Sequence, residues 1–251
     1  MWRFESSPLW LAARRKVITA TDLIDLKSGF TKLTEDQKEG REFAPNFASM
    51  YGKKNARVPD DPTSWDSAAR GHFLEPYAIE EWNDRDDTQY YHWDDCVIVN
   101  GTLGFSPDAM DIPQPDDMPV EMHAGEVKDV HKILEIKCYD IKAHMKAVVT
   151  PKEKLDERWQ VAAAFMVLPS LEKATIVFYC PKTSIGIMYK EYEREDLQKE
   201  METLYKIWKV WDKQSELIDR FYQNEMTTNF TEEEIEKDFA EYMSTAYRRF
   251  E

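Results

Sequence analysis

The decapeptide HKILEIKCYD, residues 131–140, constrains the fold more than any other part of the sequence. Its centre predicts a buried β-strand over Ile133–Tyr139, and the side chains of a strand alternate between two faces. The apolar residues of LEIKC then face a core, while Glu135 and Lys137 lie side by side on the opposite face. Burying a carboxylate and an ammonium group costs free energy unless they are paired. A plain salt bridge would satisfy both groups, so the role of this pair depends on which other polar residues surround it.

Helical and strand-like patterns alternate along the rest of the chain and predict an α/β fold. Helices are predicted for residues 8–30 (in two parts, the second capped by Thr19 or Thr21), 64–83, 155–168, 193–221 and 232–250. Strands are predicted for residues 90–99, 104–106, 133–139, 174–180 and 185–192, with loops over 31–64 and 111–130. This order predicts a single domain over residues 1–251, with a mixed central sheet flanked by helices. Within it we expect a core over about 10–222, an arm at 31–64 and a helical tail at 223–251.

The charge of the chain limits the partners it can bind. Its formal net charge is −15 at pH 7, which is unfavourable for a protein that holds nucleic acid by bulk attraction. Residues 1–58 are an exception, with 11 Lys and Arg against 7 Asp and Glu. This contrast fits either a solvated acidic surface with a basic end or an N-terminal part that faces DNA.

Cysteine usage and hydropathy indicate the compartment. The three cysteines, Cys96, Cys138 and Cys180, form no CxxC pair, which argues for a reducing environment and against zinc ribbons and iron–sulfur clusters. No apolar run approaches the ~20 residues of a membrane span. The N-terminal stretch MWRFESSPLWLAARR also lacks the long apolar segment of a secretory signal. We therefore expect a cytoplasmic protein without a membrane partner.

Other polar residues give the Glu135–Lys137 pair a second interpretation. Asp108 follows a predicted strand in GFSPDAM, and Glu75 precedes a proline that predicts a bend or break in its helix. Gln160 lies on the helix after the LEIKC strand. Clustered carboxylates repel one another unless a cation lies among them, and oxygen ligands without a His or Cys set favour Mg²⁺ or Mn²⁺. Three carboxylates, a lysine and a glutamine in one cleft would suit metal-assisted hydrolysis of a phosphodiester.

Five segments in this order resemble the PD-(D/E)xK nuclease superfamily and, within it, the YqaJ-type viral recombinases of the phage lambda exonuclease kind. The segments are WLAARRKVITATDL (10–23), RGHFLEP (70–76), SPDAM (106–110), LEIKC (134–138) and RWQVAAAF (158–165). Each is a weak signal alone, but five in the same order are specific. The resemblance covers roughly residues 10–190 and implies a restriction-endonuclease-like core with N-terminal helices and long C-terminal helices.

The resemblance implies a metal site and a catalytic lysine. Asp108, Glu135 and the backbone carbonyl of Ile136 would bind Mg²⁺, for which Mn²⁺ would substitute. Glu75 would support the metal through a water molecule or a second metal ion. Lys137 would position the water that attacks the phosphodiester.

The resemblance also implies a pocket for a 5′-terminal phosphate, formed by Arg14, Thr21, Ser106 and Gln160. Gln160 would in addition hold the scissile end, which places it among the catalytic residues. A guanidinium can grip an oxyanion with two parallel hydrogen bonds, and hydroxyls can donate to it. Two positions depart from the family pattern, because Thr21 stands where serine is usual and Ala109 replaces the glycine of the SPDG motif.

These residues predict a metal-dependent deoxyribonuclease. The resemblance implies a 5′→3′ exonuclease on double-stranded DNA that generates 3′ single strands for recombination. The alternatives are an endonuclease or single-strand nuclease of the same fold, or a DNA-binding relative that does not cut. The implied partners are double-stranded DNA ends, two further copies of the chain in a homotrimeric ring, and a single-strand annealing protein, in the host cytoplasm if a phage encodes the protein.

Overall fold

The computed structural model describes residues 8–55, 65–85, 88–115, 119–222 and 237 of the chain. Its helices are α1 (Pro8–Lys16), α2 (Ala20–Phe30), α3 (Glu35–Lys38), α4 (Pro45–Lys54), α5 (Trp65–Asn83), α6 (Ile141–Val149), α7 (Arg158–Val167) and α8 (Gln198–Tyr222). Its strands are β1 (Ile18–Thr19), β2 (Tyr91–His92), β3 (Val97–Asn100), β4 (Leu103–Phe105), β5 (Ala109–Met110), β6 (Glu121–His123), β7 (Lys132–Cys138), β8 (Lys173–Tyr179) and β9 (Ile187–Glu193). Short 3₁₀ turns lie at Lys152–Lys154 and Arg194–Leu197. The architecture is a mixed α/β fold with a long C-terminal helix, as the sequence predicts.

The described strands form two sheets, where the sequence predicts one central sheet. The first sheet has the order β1-β4-β3-β6, and the second has the order β2-β5-β7-β8-β9. Parallel and antiparallel pairs occur in both sheets. The chain crosses from the first sheet to the second between β4 and β5, at residues 106–108, and crosses in the other direction at residues 93–96. The SPD segment therefore links the two separate sheets.

Strand β7 is the centre of the second sheet and separates two layers of helices. The apolar residues of LEIKC pack against α5 on one face. Ile133, on the other face, belongs to a larger core formed with α2, α4, α7 and α8. Strand β8 pairs with β7 along its whole length, whereas β5 pairs only with Ile133 and Leu134. The backbone of residues 135–137 consequently has one edge that β5 does not cover, and this edge faces the SPD segment.

A capping box at Thr19 starts α2 and fixes the turn after α1. The Asp22 carboxylate accepts hydrogen bonds from the Thr19 amide at 2.8 Å and from its hydroxyl at 2.7 Å. The Asp22 amide in turn donates to the Thr19 hydroxyl, which satisfies an N–H of the first helical turn. Thr19 is thus the cap, and the side chain of Thr21 is left exposed. Because β1 pairs with β4, this helix start is tied to the strand that leads into the SPD segment.

Residues 31–55 differ from the long loop or arm that the sequence predicts over 31–64. They contain α3 and α4, and Phe47, Met50 and Tyr51 of α4 are buried where α4 packs on α2 and α8. The Tyr51 hydroxyl donates to the Asp219 carboxylate of α8. The prediction was wrong because Pro45 was taken as a loop residue, although proline is favoured at the first position of a helix. Residues 56–64 lie outside the described residues.

Three further elements depart from the sequence prediction. The strand predicted over 90–99 is split into β2 and β3, and the chain turns between them at Asp95, which has a φ of 49°. Helix α6 was not predicted; Asp140 caps it by accepting from the Ala143 amide at 2.8 Å. Helix α5 spans Trp65–Asn83, close to the predicted 64–83, and the bend or break predicted near Glu75 does not end it. The predicted loop over 111–130 contains β6, which pairs with β3.

None of the helices within the described ranges is long and apolar enough to cross a bilayer. The helical tail predicted for residues 223–251 lies outside the described residues, except for residue 237, which is helical.

Candidate active site

A cleft of about 250 Å³ lies where the two sheets meet, and both crossing segments line it. Strand β4 contributes one wall from the first sheet, and β7 contributes another from the second. Every side chain that the sequence predicts for the site lines this cleft: Arg14, Thr21, Glu75, Ser106, Asp108, Glu135, Lys137 and Gln160. These residues come from α1, α2, α5, the SPD segment, β7 and α7. The roles assigned to them stay predictions, but the fold brings them to one place.

The Glu135–Lys137 pair forms a buried ion pair on β7. The Lys137 Nζ donates to Glu135 Oε1 at 2.6 Å, and the two side chains are 20% and 7% exposed. Burial alone would lower the pKa of Lys137, but the negative charges of Glu135 and Asp108 outweigh it and raise that pKa. Both carboxylates therefore favour the charged form of Lys137, which lies in the part of the strand that has an uncovered edge.

Asp108 sits directly opposite this edge. Its Oδ2 accepts from the Ile136 amide at 2.6 Å, so the carboxylate takes up a strand N–H that β5 does not reach. Burial raises the pKa of the Asp108 carboxyl well above its ordinary value, and the charges of Glu135 and Glu75 raise it further. A group whose charge is disfavoured by both burial and like charges would gain most from a nearby cation.

Glu75 lies on α5 between two histidines. Its Oε2 is 3.4 Å from His72 Nδ1 and 3.9 Å from His92 Nε2, and His92 Nδ1 is 3.1 Å from Asp94 Oδ2. Burial alone would raise the pKa of Glu75, yet the two histidines lower it to about 2. Burial would also lower the pKa of His92, but Asp94 and Glu75 outweigh it and raise it to about 10. Its two histidine neighbours thus favour the ionised form of Glu75.

The donor set of the cleft fits a hard divalent cation. Within the described ranges, no three His, Cys, Asp or Glu side chains already converge on a common point. Each carboxylate instead has its own partner, namely Lys137, the Ile136 amide and His72. A Mg²⁺ site does not need three converging side chains, because the ion retains several waters and is often held by one or two carboxylates. The carboxylate oxygens of Asp108 and Glu135, and the repulsion between them, suit Mg²⁺ better than a softer metal.

Arg14 is a half-buried cation in the same cleft. Its guanidinium carbon lies 4.5 Å from the centre of the Trp10 ring, and within the part of the chain that the structure describes it makes neither a side-chain hydrogen bond nor an ion pair. Burial lowers the pKa of Arg14 below its ordinary value, although charges on Asp22, Glu135 and Asp108 oppose the shift. A desolvated guanidinium whose N–H groups are not used is suited to two-point binding of an anion.

Three further groups of the cleft retain hydrogen-bonding capacity. The Ser106 Oγ is buried and has no partner among the described residues. The Thr21 side chain is exposed at the start of α2, where helix N–H groups lack intrahelical partners and favour negative charge. Over the same described ranges, the side-chain amide of Gln160 makes no hydrogen bond. Together with Arg14, these groups are the ones from which an anion pocket can be built.

Sequence reasoning missed several residues of the site. His72 and His92 are not among the residues that the sequence predicts for the site, yet both approach Glu75. His72 precedes Glu75 by three residues, and this helical spacing is a signal that the sequence does contain. Trp10 precedes Arg14 by four residues on α1, which is also a helical spacing, whereas no local spacing links His92 to Glu75 because β2 approaches α5 only through the tertiary fold.

Comparison with known families and curated proteins does not extend this description. No family model matches the chain. No curated protein matches it either.

Solved structures do show a likeness. The crystal structure of LHK-Exo in complex with dAMP superposes with a TM-score of 0.60 at 17% sequence identity, covering 87% of this chain and 99% of that one. The structure of an alkaline exonuclease (LHK-Exo) from Laribacter hongkongensis gives a TM-score of 0.59 at 16% identity, with the same coverage. The likeness extends over nearly the whole of the solved chain, so the chain described here has the fold of this alkaline exonuclease.

Proposed function

We propose that this protein is a Mg²⁺-dependent deoxyribonuclease that degrades double-stranded DNA from its 5′ ends and leaves 3′ single strands for recombination. The observation that carries the proposal is one cleft that holds Asp108, Glu135 and Lys137 together with the Arg14 guanidinium, whose N–H groups have no hydrogen-bond partner among the described residues. The nuclease fold shared with the alkaline exonuclease supports it. Hydrolysis of a phosphodiester needs the first three residues, and recognition of a terminal phosphate needs the fourth.

The chain's own residues have separate tasks in this reaction. Asp108, Glu135 and the Ile136 carbonyl would hold Mg²⁺, and Glu75 would support it through water or a second ion. Bound Mg²⁺ supplies charge stabilisation at the phosphoryl group and makes a water more acidic. Lys137, fixed by its hydrogen bond to Glu135, orients the attacking water. Attack at phosphorus breaks the bond to the 3′ oxygen of the terminal nucleotide, and that oxygen leaves with a proton from solvent.

The products follow from which bond breaks. The terminal nucleotide leaves as a 5′-mononucleotide, and the shortened strand begins with a new 5′-phosphate. Arg14, Thr21, Ser106 and Gln160 would bind the phosphate at the end of each strand, so every turnover regenerates the group that they recognise. The solved relative was crystallised with dAMP, a 5′-mononucleotide of the kind that this reaction would release.

The acidic surface requires an explanation of how the enzyme stays on DNA. With a net charge of −15, bulk attraction to phosphate is unavailable. A homotrimeric ring that encloses the duplex would hold it by topology instead. The further proposed partner is a single-strand annealing protein that takes up the exposed 3′ strand, in the cytoplasm of the host cell. Mn²⁺ would replace Mg²⁺, since both prefer oxygen ligands in octahedral sites.

Labelled DNA substrates test the proposed activity. Linear duplex DNA, labelled at one end and with or without a 5′-phosphate, is incubated in Mg²⁺ beside a closed circular duplex. Wild type should shorten the 5′-phosphorylated linear duplex and leave the circle intact. Lys137→Ala and Glu135→Ala should each lower the initial rate by about 10²–10⁴-fold, because the attacking water loses its orientation.

The matched control is a second Lys–Glu ion pair in the same sheet. Lys173 and Glu191 form an ion pair of 3.1 Å on β8 and β9, outside the cleft, with 36% and 43% of their side chains exposed. Lys173→Ala and Glu191→Ala should retain wild-type rates. Cutting of the closed circle would favour the endonuclease alternative. A wild-type protein that binds DNA but cuts no substrate in Mg²⁺ or Mn²⁺ would favour a non-cutting relative.

A further inference from the structure

Lys54, the last residue of α4, joins three elements behind the proposed phosphate pocket. Its ammonium group forms an ion pair with the Asp22 carboxylate, and the two side chains are only 11% and 16% exposed. The same ammonium group donates to the backbone carbonyl of Arg14 at 3.0 Å. One buried cation therefore contacts the last turn of α1 and the first turn of α2 at the same time.

Both contacts are with negatively polarised or charged oxygen atoms at helix ends. The carbonyl of Arg14 belongs to the last turn of α1, whose carbonyl groups lack intrahelical donors. Asp22 is the acidic member of the capping box, and it already accepts two hydrogen bonds from Thr19. A cation placed between a helix C-terminus and a carboxylate is favoured by both. Its position is maintained by α4, which is anchored through Tyr51 and its buried neighbours on α8.

The ion pair also affects the electrostatic attraction between Asp22 and Arg14. The negative charge of Asp22 acts on the Arg14 guanidinium, more strongly than those of Glu135 and Asp108. While Lys54 holds the Asp22 carboxylate, that carboxylate is turned to a partner of its own, and the guanidinium remains available for another anion. Without the ammonium group, a buried carboxylate would be left beside Arg14 without its counter-charge.

We propose that Lys54 is a positioning residue for recognition of the 5′-phosphate: it orders the turn between α1 and α2 and keeps Asp22 from competing for Arg14. The proposal rests on the exonuclease function proposed above and adds to it a residue that does not line the cleft. A merely structural lysine would affect all substrates alike. A positioning role affects only substrates that carry the terminal phosphate.

Equilibrium binding separates these two roles without relying on catalysis. Fluorescence anisotropy is measured with two blunt duplexes of identical sequence, one 5′-phosphorylated and one with a 5′-hydroxyl, in Ca²⁺ in place of Mg²⁺. Wild type should bind the phosphorylated end more tightly. Lys54→Met should lower the ratio of the two affinities about tenfold, which is the usual scale for a charge-assisted contact. Its affinity for the hydroxyl end should stay unchanged. Initial cleavage rates in Mg²⁺ should show the same selective loss, as a higher KM for phosphorylated ends with kcat retained.

Three variants complete the design. Lys54→Arg keeps the charge and should restore most of the preference. The double variant Lys54→Met/Asp22→Asn has no carboxylate left to compete for Arg14 and should recover part of the preference that Lys54→Met loses. Lys53→Met removes the neighbouring exposed lysine of α4, so it matches the charge change and should behave as wild type. Thermal melting of each variant establishes that it is folded.

The outcomes distinguish this proposal from the proposed function. Lys54→Met with a wild-type preference, or with equal weakening toward both ends, overturns the positioning role, as does a wild type that binds both ends equally. If wild type prefers the phosphorylated end and Lys54→Met does not, the positioning role is supported even where wild type never cuts linear DNA. In that case only the exonuclease function fails.

Discussion

Asp108 shows how a single residue can be unfavourable for the fold and useful for the site. Its carboxylate is buried and repelled by Glu135 and Glu75, and the charge of Lys137 and the hydrogen bond from the Ile136 amide offset this only in part. Groups of this kind cluster at functional sites, where the local destabilisation is offset by the rest of the molecule. The residue is therefore a sensitive probe of whether a cation belongs in the cleft.

Asp108→Asn should stabilise the metal-free protein while abolishing activity. Asparagine can still accept the Ile136 hydrogen bond but carries no charge to repel the neighbouring carboxylates. We expect the melting temperature without metal to rise by several degrees, which corresponds to about 1 kcal/mol or more. Differential scanning calorimetry in EDTA measures this directly.

Added Mg²⁺ provides the second half of the same measurement. It should raise the melting temperature of wild type, because binding to the folded state adds stability, and should have little effect on Asp108→Asn. A variant that is less stable than wild type in EDTA, or that responds equally to Mg²⁺, would contradict the assignment of Asp108 to a metal site.

At this scale the sequence predicts a good deal. The strand alternation in LEIKC places Glu135 and Lys137 on one face, and the structure has them 2.6 Å apart. His92 and Lys54 were not foreseen, because their neighbours in space are distant in the sequence and no local pattern connects them. A local period can indicate which face a residue lies on, but it cannot identify the element that packs against that face.

Among the elements, α4 is the clearest difference between sequence and structure. Its apolar residues are three and four positions apart, which is a helical spacing, but a proline and polar flanking residues hid it. Phe47 is fully buried in the main core, in contact with the layer formed by α2 and α8. The segment predicted as an arm is thus partly a core element of the fold.

Phe47→Ala tests this conclusion. Truncating a fully buried phenylalanine typically costs about 3–5 kcal/mol, through lost apolar burial and the cavity left behind. Phe43→Ala removes the same side chain four residues earlier, where it is 40% exposed, and should cost much less. Chemical denaturation monitored by circular dichroism gives both values. Equal and small losses would mean that residues 35–54 form a detachable arm after all.

The boundaries of the long elements were more predictable. Strands β7, β8 and β9 lie within two residues of their predicted ranges, and helix α8 begins five residues later than predicted and ends one residue later. Their apolar residues recur with a regular period over many positions, and tertiary contacts do not override such a pattern. The short strands β1, β2 and β5 have two residues each and owe their assignment to pairing partners rather than to their own sequence.

At the scale of the whole molecule, the acidic charge is the feature that most needs a partner. Ring closure would let an acidic protein remain on acidic DNA, because an enclosed duplex cannot dissociate sideways. Light scattering on a sizing column should therefore give three times the chain mass of 29.6 kDa. A mass of one chain at working concentration would exclude the ring.

Processivity offers an independent check on the same assembly. A ring should remain on one duplex when an excess of unlabelled competitor DNA is added after the reaction starts, so labelled DNA would continue to shorten. A protein held by surface contacts alone would exchange, and shortening of the labelled duplex would stop.

Fold class was predictable at this scale, but the division into two sheets was not. Strands that follow each other in sequence, such as β4 and β5, lie in different sheets, and only three residues separate them. Hydrophobic patterns identify strands but do not specify which strands share hydrogen bonds. The SPD segment could be recognised as a motif, whereas its position as the link between the sheets required the tertiary structure.

That link has a consequence for when the protein can act. Since the cleft takes one wall from each sheet, a chain emerging during synthesis, or one in which either sheet has opened, has no complete site. Under the proposed activity, cutting is therefore coupled to the completion of folding. A partly folded chain would be harmless to the genome of the cell that makes it, without any separate inhibitor.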